Sequence, residues 1–187
     1  EARDAAKLQD PAFGKQREPY VRLTNLARTF DAAASNNFYE LWWLDEVFAM
    51  QPYSSPSVFS FYLPDYRPNG PLKDAGLTAP EFQITTAVTG ISAPNHFLNS
   101  IHYGLNRWSG DPESNVKLHL ADCTALAAYL PALLEKLDLL LTYGNLRPRQ
   151  HQIIREALER IPAAEPAERV RMAIYLITTS PEFCVLK

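Results

Sequence analysis

The stretch that decides the fold is residues 126–144, LAAYLPALLEKLDLLLTYG. Its leucines recur at the spacing of three and four residues that places side chains on one face of a helix. They are Leu126, Leu130, Leu133, Leu134, Leu137, Leu140 and Leu141. Tyr143 and Gly144 then supply a C-cap, because glycine readily takes the left-handed conformation in which many helices end. The pattern predicts a long helix with an apolar stripe.

Two more helical patterns follow this stretch. One begins at Pro148 and the other at Pro166, since proline suits the first turn of a helix. Their inward-facing residues are Ile154, Ala157, Leu158 and Ile161 in the first, and Val170, Ala173, Ile174 and Ile177 in the second. Because the connecting loops are short, we expect residues 123–187 to form antiparallel helices that end in a short turn starting at Ser180. The fold class is therefore all-α, an irregular domain of about six to seven helices.

Upstream, the chain begins with a charged lead-in, residues 1–18. Nine charged residues fall within the first 22 positions, and no helical period is sustained before Pro19. A helix then begins at Pro19, and its apolar face consists of Leu23, Leu26, Ala27 and Phe30. The next segment, residues 38–50 (FYELWWLDEVFAM), is apolar on almost every face. A helix of that kind is buried in a larger body or against a partner, which makes Trp42 and Trp43 interface candidates.

Residues 51–78 form a connection that is unusually long and apolar. Six of the 15 prolines lie between Pro52 and Pro80, and between positions 47 and 72 the only charged residues are Asp65 and Arg67. Structureless loops longer than about 12–15 residues are usually functional or disordered, and disorder requires a more charged composition. We therefore expect an ordered loop that its own aromatic rings pack down. Its candidate ligand-binding residues are Tyr53, Ser55, Asp65 and Tyr66.

A polar stripe is predicted on the helix that follows this loop. Thr78 and Glu81 have the spacing of a capping box, which would open the helix. Beyond the interruptions expected at Gly90 and Pro94, the helix has an apolar face and a polar face. The candidate ligand-binding residues of the polar face are Asn95, Asn99, His102 and Asn106. Amides and imidazole offer both hydrogen-bond donors and acceptors to a sugar or peptide. The alternative is the solvated side of an amphipathic helix.

The composition excludes several classes of protein. With 187 residues, 47 % of them apolar and 21 % charged, the chain has the size and composition of a single globular domain. Its formal net charge of −3 provides no basic field for phosphates, so nucleic-acid binding is disfavoured. The sequence has no run of about 18 apolar residues, so no membrane span is predicted. Seven glycines against 15 prolines favour helices joined by stiffened loops over a turn-rich β fold.

The sequence has no pattern typical of the common catalytic or cofactor sites. Catalytic residues and cofactors therefore stay unknown, and no metal site is predicted. The histidines are scattered, and His96 and His102, six residues apart, do not share a helix face. We expect each histidine at the surface or in a hydrogen bond. The serines at positions 54, 55 and 57 stand near prolines, where serine is first a turn former.

Two cysteines, Cys123 and Cys184, are 61 positions apart, and neither has a CxxC neighbour. A structural zinc site needs about four clustered ligands, so that interpretation is weak. Two alternatives stay open: buried thiols that act as small hydrophobic residues, or one disulfide in an oxidising compartment.

Five blocks of this sequence resemble a known family. The blocks are FGKQREPYVRLTNLARTF, QPYSSPSVFSFY, PDYRPNGPL, GLTAPEFQITT and RVRMAIYLITTSPEF. The last four look like the C-terminal part of the bacterial family catalogued as domain of unknown function 1800, and the first is similar to a further block of that family. We expect residues 1–187 to form a single helical domain, and the resemblance implies that it is the C-terminal portion of a longer exported protein, periplasmic or extracellular. It also implies a second exported protein as a partner, and it carries no catalytic residues.

Two hypotheses on function follow. The first is a binding or assembly module of an exported bacterial protein, which contacts the missing N-terminal portion, a partner chain or an envelope glycan. The second is a portion of an enzyme, a hydrolase or oxidoreductase, whose key residues lie in the missing N-terminal part. The first is favoured because the sequence offers contact surfaces and no nucleophile–base pair. If the protein is exported, Cys123 and Cys184 are also candidates for a disulfide.

Overall fold

The computed structural model describes residues 9–10, 13–39, 41, 44–106 and 110–186. This part of the chain is mostly helical, which confirms the all-α fold class. Its α-helices are α1 (Pro19–Thr29), α2 (Leu44–Phe48), α3 (Pro71–Asp74), α4 (Thr89–Tyr103), α5 (Ala121–Thr124), α6 (Leu130–Thr142), α7 (Pro148–Glu159), α8 (Pro166–Thr178) and α9 (Pro181–Cys184). Its other elements are two 3₁₀ helices, Pro80–Ile84 and Pro112–Ser114, and two strands, β1 (Lys15–Gln16) and β2 (Val185–Leu186).

Helix α8 is the centre of the fold, and it packs against α4, α5, α6, α7 and α9. The residues predicted to face inward, Val170, Ala173, Ile174 and Ile177, are all fully buried. Burying an aliphatic side chain completely stabilises a fold by about 1.5–3 kcal/mol, so this face contributes much of the core's stability. Helices α6, α7 and α8 also contact one another, as neighbours joined by short loops should.

The leucine stretch forms the packed face of α6, but the helix begins later than the pattern predicts. Leu133, Leu137 and Leu141 are fully buried, whereas Leu140 is exposed. Residues 125–129 form turns and α6 starts only at Leu130. The reason is Pro131, which lacks an N–H and whose ring would clash with the carbonyl four residues earlier in a continuous helix.

The capping box predicted at Thr78 and Glu81 is wrong. Ala79 is the N-cap of the 3₁₀ helix Pro80–Ile84, and no side chain caps it. Glu81 is instead buried, with Oε1 3.3 Å from Nζ of Lys15. The reciprocal bonds of a helix start appear later. The N–H of Thr86 donates to Oγ1 of Thr89 at 2.8 Å, and the N–H of Thr89 donates to Oγ1 of Thr86 at 3.2 Å.

Helix α4 therefore starts at Thr89, beyond the β-branched residues that precede it. It continues through Pro94 to Tyr103. The interruptions predicted at Gly90 and Pro94 do not occur, because the helix runs through both residues. Of the expected apolar face, Ile101 and Leu105 are buried and Leu98 is half-buried.

The apolar segment 38–50 is helical only at α2, over the residues that the structure describes. Ala49 has a positive φ angle of 52°, so the helix cannot continue beyond Phe48 to the end of the segment. Phe48 is fully buried, whereas Phe38 and Tyr39 are exposed. The interface candidates Trp42 and Trp43 lie outside the described residues, as does most of the charged lead-in.

A small antiparallel sheet closes the fold, and no sequence pattern predicted it. Lys15 of β1 lies opposite Leu186 of β2, and Gln16 lies opposite Val185. The backbone N–H of Arg17 extends the ladder by donating to the carbonyl oxygen of Cys184 at 2.7 Å. The pairing places Arg17 beside α9. Among the described helices, none is both long and apolar enough to cross a membrane.

Candidate functional site: an exposed aromatic loop and an arginine-lined cleft

The aromatic loop, defined here as residues 51–66, presents apolar side chains to solvent. Tyr53 is 106 % exposed, Val58 95 % and Phe59 57 %, and Leu63 is also exposed. The expectation that the loop's own rings pack it down is therefore wrong for these side chains. The chain reverses in a tight turn between Ser57 and Ser60, which leaves Val58 and Phe59 exposed at the corner.

The base of the aromatic loop is fixed to the body of the protein. Phe61 and Tyr62 pack against the core. The hydroxyl of Tyr62 donates to the carboxylate of Glu18, and the N–H of Leu63 donates to Oε1 of Gln83 at 2.7 Å. Burial, together with the bond to Glu18, raises the pKa of Tyr62 well above its usual value, so the phenol remains a donor. The loop thus has an anchored base and an exposed tip.

The loop's predicted binding residues divide between these two regions. Tyr53 and Ser55 are exposed on the tip, and Asp65 is exposed closer to the base. Tyr66 is half-buried, and its carbonyl oxygen accepts from the N–H of Ala79 at 2.9 Å. Ligand binding by these residues stays a prediction.

The predicted polar stripe of α4 does not form one face. Asn95 and Asn99 are exposed, and Nδ2 of Asn99 donates to the carbonyl oxygen of Asn95 at 2.9 Å. His102 is half-buried, with Nε2 3.5 Å from Oε1 of Glu168 on α8. Asn106 is buried, because the helix ends at Tyr103 and the chain turns inward beyond it. The stripe is thus partly a solvated face and partly buried structure.

A second feature is the Arg17 cleft, a cavity of about 770 Å³ between the end of α6, the start of α9 and β2. Its lining residues are Arg17, Thr142, Tyr143, Asn145, Arg147, Pro181, Glu182, Val185 and Leu186. A side chain of Glu182 accepts from Nε of Arg147 through Oε1, while its Oε2 is buried without a hydrogen-bond partner. Sequence reasoning missed this cleft, since β1 and β2 assemble it from opposite ends of the described chain.

Arg17 is the unusual residue of the cleft, because it is only 6 % exposed. Its guanidinium lies over the ring of Phe183, with Cζ 5.1 Å from the ring centroid. Nη1 is buried without a hydrogen-bond partner, and no acidic side chain in the described part of the chain forms an ion pair with it. Burial lowers the pKa of Arg17, and Tyr143 partly opposes that effect. An arginine nevertheless keeps its proton in a protein, so a positive charge is buried here.

Asp138 and His151 form the described pair that most resembles a catalytic one. Nε2 of His151 lies 2.8 Å from Oδ2 of Asp138, at a cleft of about 500 Å³. Oδ1 of Asp138 accepts from the N–H of Leu146 at 3.0 Å and from the hydroxyl of Thr142. Burial would raise the pKa of Asp138, but the hydrogen bonds from Thr142, His151 and Leu146 outweigh it and lower that pKa. The carboxylate therefore holds the turn between α6 and α7 together.

Among the described residues that line the Asp138–His151 cleft there is no serine, threonine or cysteine, so they give the pair no such nucleophile to activate. Across the described residues, no group of three His, Cys, Asp or Glu side chains could hold a metal ion. His151 meets the expectation of a hydrogen-bonded histidine. His96 does not: it is mostly buried, Nε2 has no partner, and its ring packs edge-on against Phe48 with centroids 5.2 Å apart.

In the structure both cysteines are free thiols, as in the first of the two alternatives. Cys123 on α5 is buried in the core. Sγ of Cys184 on α9 accepts from Nη1 of Arg22 at 3.1 Å and lies 3.6 Å from the carbonyl oxygen of Thr178. The two short helices that carry the cysteines, α5 and α9, each pack on α8.

The fold and these two surfaces define an irregular α-helical protein with an exposed aromatic loop and an arginine-lined cleft. The sequence profile of the family described as "Protein of unknown function (DUF1800)" matches residues 1–185, and the chain belongs to that family. This finding confirms the resemblance seen in the sequence. Neither the curated proteins nor the solved structures gave a match to this chain.

Proposed function

We propose that this protein is a binding module that docks another polypeptide through the aromatic loop. The observation that carries the proposal is the combination of an anchored base with exposed Tyr53, Val58 and Phe59 at the tip. The anchored base restricts the paths that the loop backbone can take before a partner arrives. That preorganisation reduces the entropy that binding must overcome.

The chemistry of the tip favours a polypeptide over a glycan. The tip combines the rings of Tyr53 and Phe59 with the aliphatic side chain of Val58, which has no ring face on which a sugar could stack. Asp65 and Arg67 are the only charged side chains between positions 47 and 72. Interface centres between proteins share these traits, because they are rich in aromatic residues and poor in charge. A few such rings commonly carry most of the binding energy.

The partner is either another part of a longer protein or a second exported protein, as the family resemblance implies. A periplasmic or extracellular location is part of this proposal. The enzyme alternative is not proposed, because no observation favours it. The described pair closest to catalytic geometry, Asp138 and His151, holds a turn and has no serine, threonine or cysteine among the described residues of its cleft.

Crosslinking identifies which polypeptide meets the tip. A photoreactive residue is placed at position 53 or 58 of the protein expressed in intact cells, and crosslinked peptides are sequenced. Crosslinks within one chain indicate another part of the same protein, and crosslinks between chains indicate a separate partner. The crosslinked polypeptide is then purified and its dissociation constant measured with the wild-type protein.

The deciding comparison uses the Tyr53→Ser/Phe59→Ser double variant. We expect it to weaken binding by about tenfold or more, as loss of central aromatic contacts does. Leu139→Ser is the matched control, because Leu139 is 65 % exposed on α6, outside the loop, and should leave binding unchanged. Equal binding by wild type and double variant overturns the proposal. The proposal is also overturned if the wild-type protein binds immobilised envelope oligosaccharide in the absence of any polypeptide and the double variant does not.

A further inference from the structure

Arg17 holds a buried positive charge that the described protein leaves without an anion. Moving an ion out of water is costly unless a counter-charge and hydrogen bonds compensate. The ring of Phe183 offsets part of that cost through a cation–π contact, with Cζ 5.1 Å from the ring centroid. A ring accepts no N–H hydrogen bond of the kind that a carboxylate accepts from a guanidinium. Nη1 still has no acceptor.

Arg17 lines the Arg17 cleft, which gives an external acceptor room beside the guanidinium. Nη1 itself is buried, so the acceptor would approach the other N–H groups of Arg17. A cavity of about 770 Å³ is within the usual size range of small-ligand sites, about 300–1,000 Å³. Tyr143 lies both on the wall of the cleft and near the guanidinium. Asn145 adds a polar side chain, while Val185 and Leu186 add apolar surface. The site therefore combines one unpaired cation with an apolar wall.

We propose that the Arg17 cleft binds a carboxylate that is attached to an apolar group. The charges that line the cleft favour a single negative charge. Arg17 and Arg147 are cationic and Glu182 is anionic, which leaves one positive charge to neutralise. A carboxylate also matches the planar fork of a guanidinium, and such pairs form two parallel hydrogen bonds. A phosphate dianion would add a negative charge beside Glu182 without a cation to balance it.

Two sources of this carboxylate share the same chemistry. One is the C-terminal carboxylate of a peptide with an apolar last residue, and the other is a free small carboxylic acid. The proposal does not depend on the aromatic loop, since Arg17 and its cleft share no residue with residues 51–66. A negative result for the aromatic loop therefore does not contradict the proposal for the Arg17 cleft, and the reverse also holds.

The test titrates the protein with defined probes and follows the Nε–Hε signal of Arg17 by NMR, assigned with Arg17→Lys. The probes are N-acetyl-leucyl-leucine, its C-terminal amide, benzoate and inorganic phosphate. We expect saturable shifts of the Arg17 signal with one or both carboxylates and none with the amide. Binding by the peptide acid alone indicates a peptide terminus, whereas equal binding by benzoate indicates a small acid. No saturable shift with either carboxylate, or tighter binding of phosphate, overturns the proposal.

Two variants separate binding from folding. Arg17→Met keeps most of the apolar stem and removes the charge. Because this variant lacks the Arg17 signal, isothermal titration calorimetry measures the carboxylate affinity of the wild type and of every variant, and we expect Arg17→Met to lower that affinity about tenfold or more. Its stability should stay level or rise, because a buried unpaired charge is removed. Arg155→Met is the control: Arg155 is exposed and paired with Glu159, and its loss should leave affinity within about twofold. If Arg17→Met binds the carboxylate as the wild type does, the site is elsewhere and the proposal fails.

Discussion

The helices α6 to α8 and the aromatic loop are both rich in apolar residues, but the helices bury theirs and the loop exposes several of its own. In α6 and α8, Leu133, Leu137 and Ile174 are fully buried. In the loop, Tyr53 and Val58 are almost completely exposed. The two regions differ in periodicity, because helical spacing directs apolar side chains to one face that another helix can cover. A proline-rich loop has no such face, so apolar composition alone did not bury its tip.

The largest effect expected from this comparison is that of Leu137→Ala in α6. Leu137 is fully buried. Truncation leaves a cavity, and we expect the free energy of unfolding to fall by about 2–5 kcal/mol. Urea denaturation followed by circular dichroism measures it. Leu139→Ala, at an exposed position two residues further along the helix, is the control and should change little. Equal losses for both variants would break the contrast.

Asp138→Asn tests the polar support of the same helices. We expect a loss of about 1–3 kcal/mol at pH 7, since charged hydrogen bonds to Leu146, Thr142 and His151 are weakened. The folded-state pKa of Asp138 is lowered, so its stabilisation is present above the unfolded pKa of about 3.9 and is lost as pH falls through the folded value. Urea denaturation at pH 7 and pH 3 should therefore show a smaller difference between wild type and variant at pH 3.

Asp65→Asn supplies the loop counterpart of that experiment. Asp65 is exposed, and its substitution should change stability by less than about 0.5 kcal/mol at either pH. A pH-dependent loss as large as that of Asp138→Asn would show that the loop contributes to the fold as the helices do.

His96→Phe probes the core where α4 meets α2. Burial lowers the pKa of His96, so protonation favours the unfolded state. The wild type should lose stability as pH falls below the unfolded pKa of about 6.5, with a slope of at most about 1.4 kcal/mol per pH unit from this group. His96→Phe should lose that part of the pH dependence in denaturation curves between pH 7.5 and pH 5. The exposed His119→Gln is the control, and an unchanged slope in His96→Phe refutes the assignment.

The smallest effect is expected for Val58→Ala at the tip of the aromatic loop. Val58 is 95 % exposed, so truncation removes almost no buried surface. The free energy of unfolding should change by less than about 0.5 kcal/mol. The same denaturation assay checks it. A loss near that of Leu137→Ala would mean that the loop packs onto the protein in solution.

Helical spacing was the sequence feature that predicted buried residues correctly. The inward residues of α8 and the packed leucines of α6 follow directly from periodicity. The capping box at Thr78 was misplaced, because its spacing also occurs in a 3₁₀ turn, and the true start uses Thr86 and Thr89. The polar stripe failed at Asn106, because the helix that would have aligned it ends at Tyr103. The local stop signal was Gly104, which follows the last helical residue with a φ of 97°, and the predicted stripe ran past it.

The sequence by itself determined the fold class, the family and the residues that the central helices bury, because these depend on spacing along one segment. Only the tertiary structure decided which partners Arg17, Asp138 and Cys184 have. Arg17 comes to Phe183 through the pairing of β1 with β2, whose two-residue strands leave almost no pattern in the chain. Contacts between distant segments depend on how whole elements pack, and that packing set the exposure of the loop and the buried charge of the cleft.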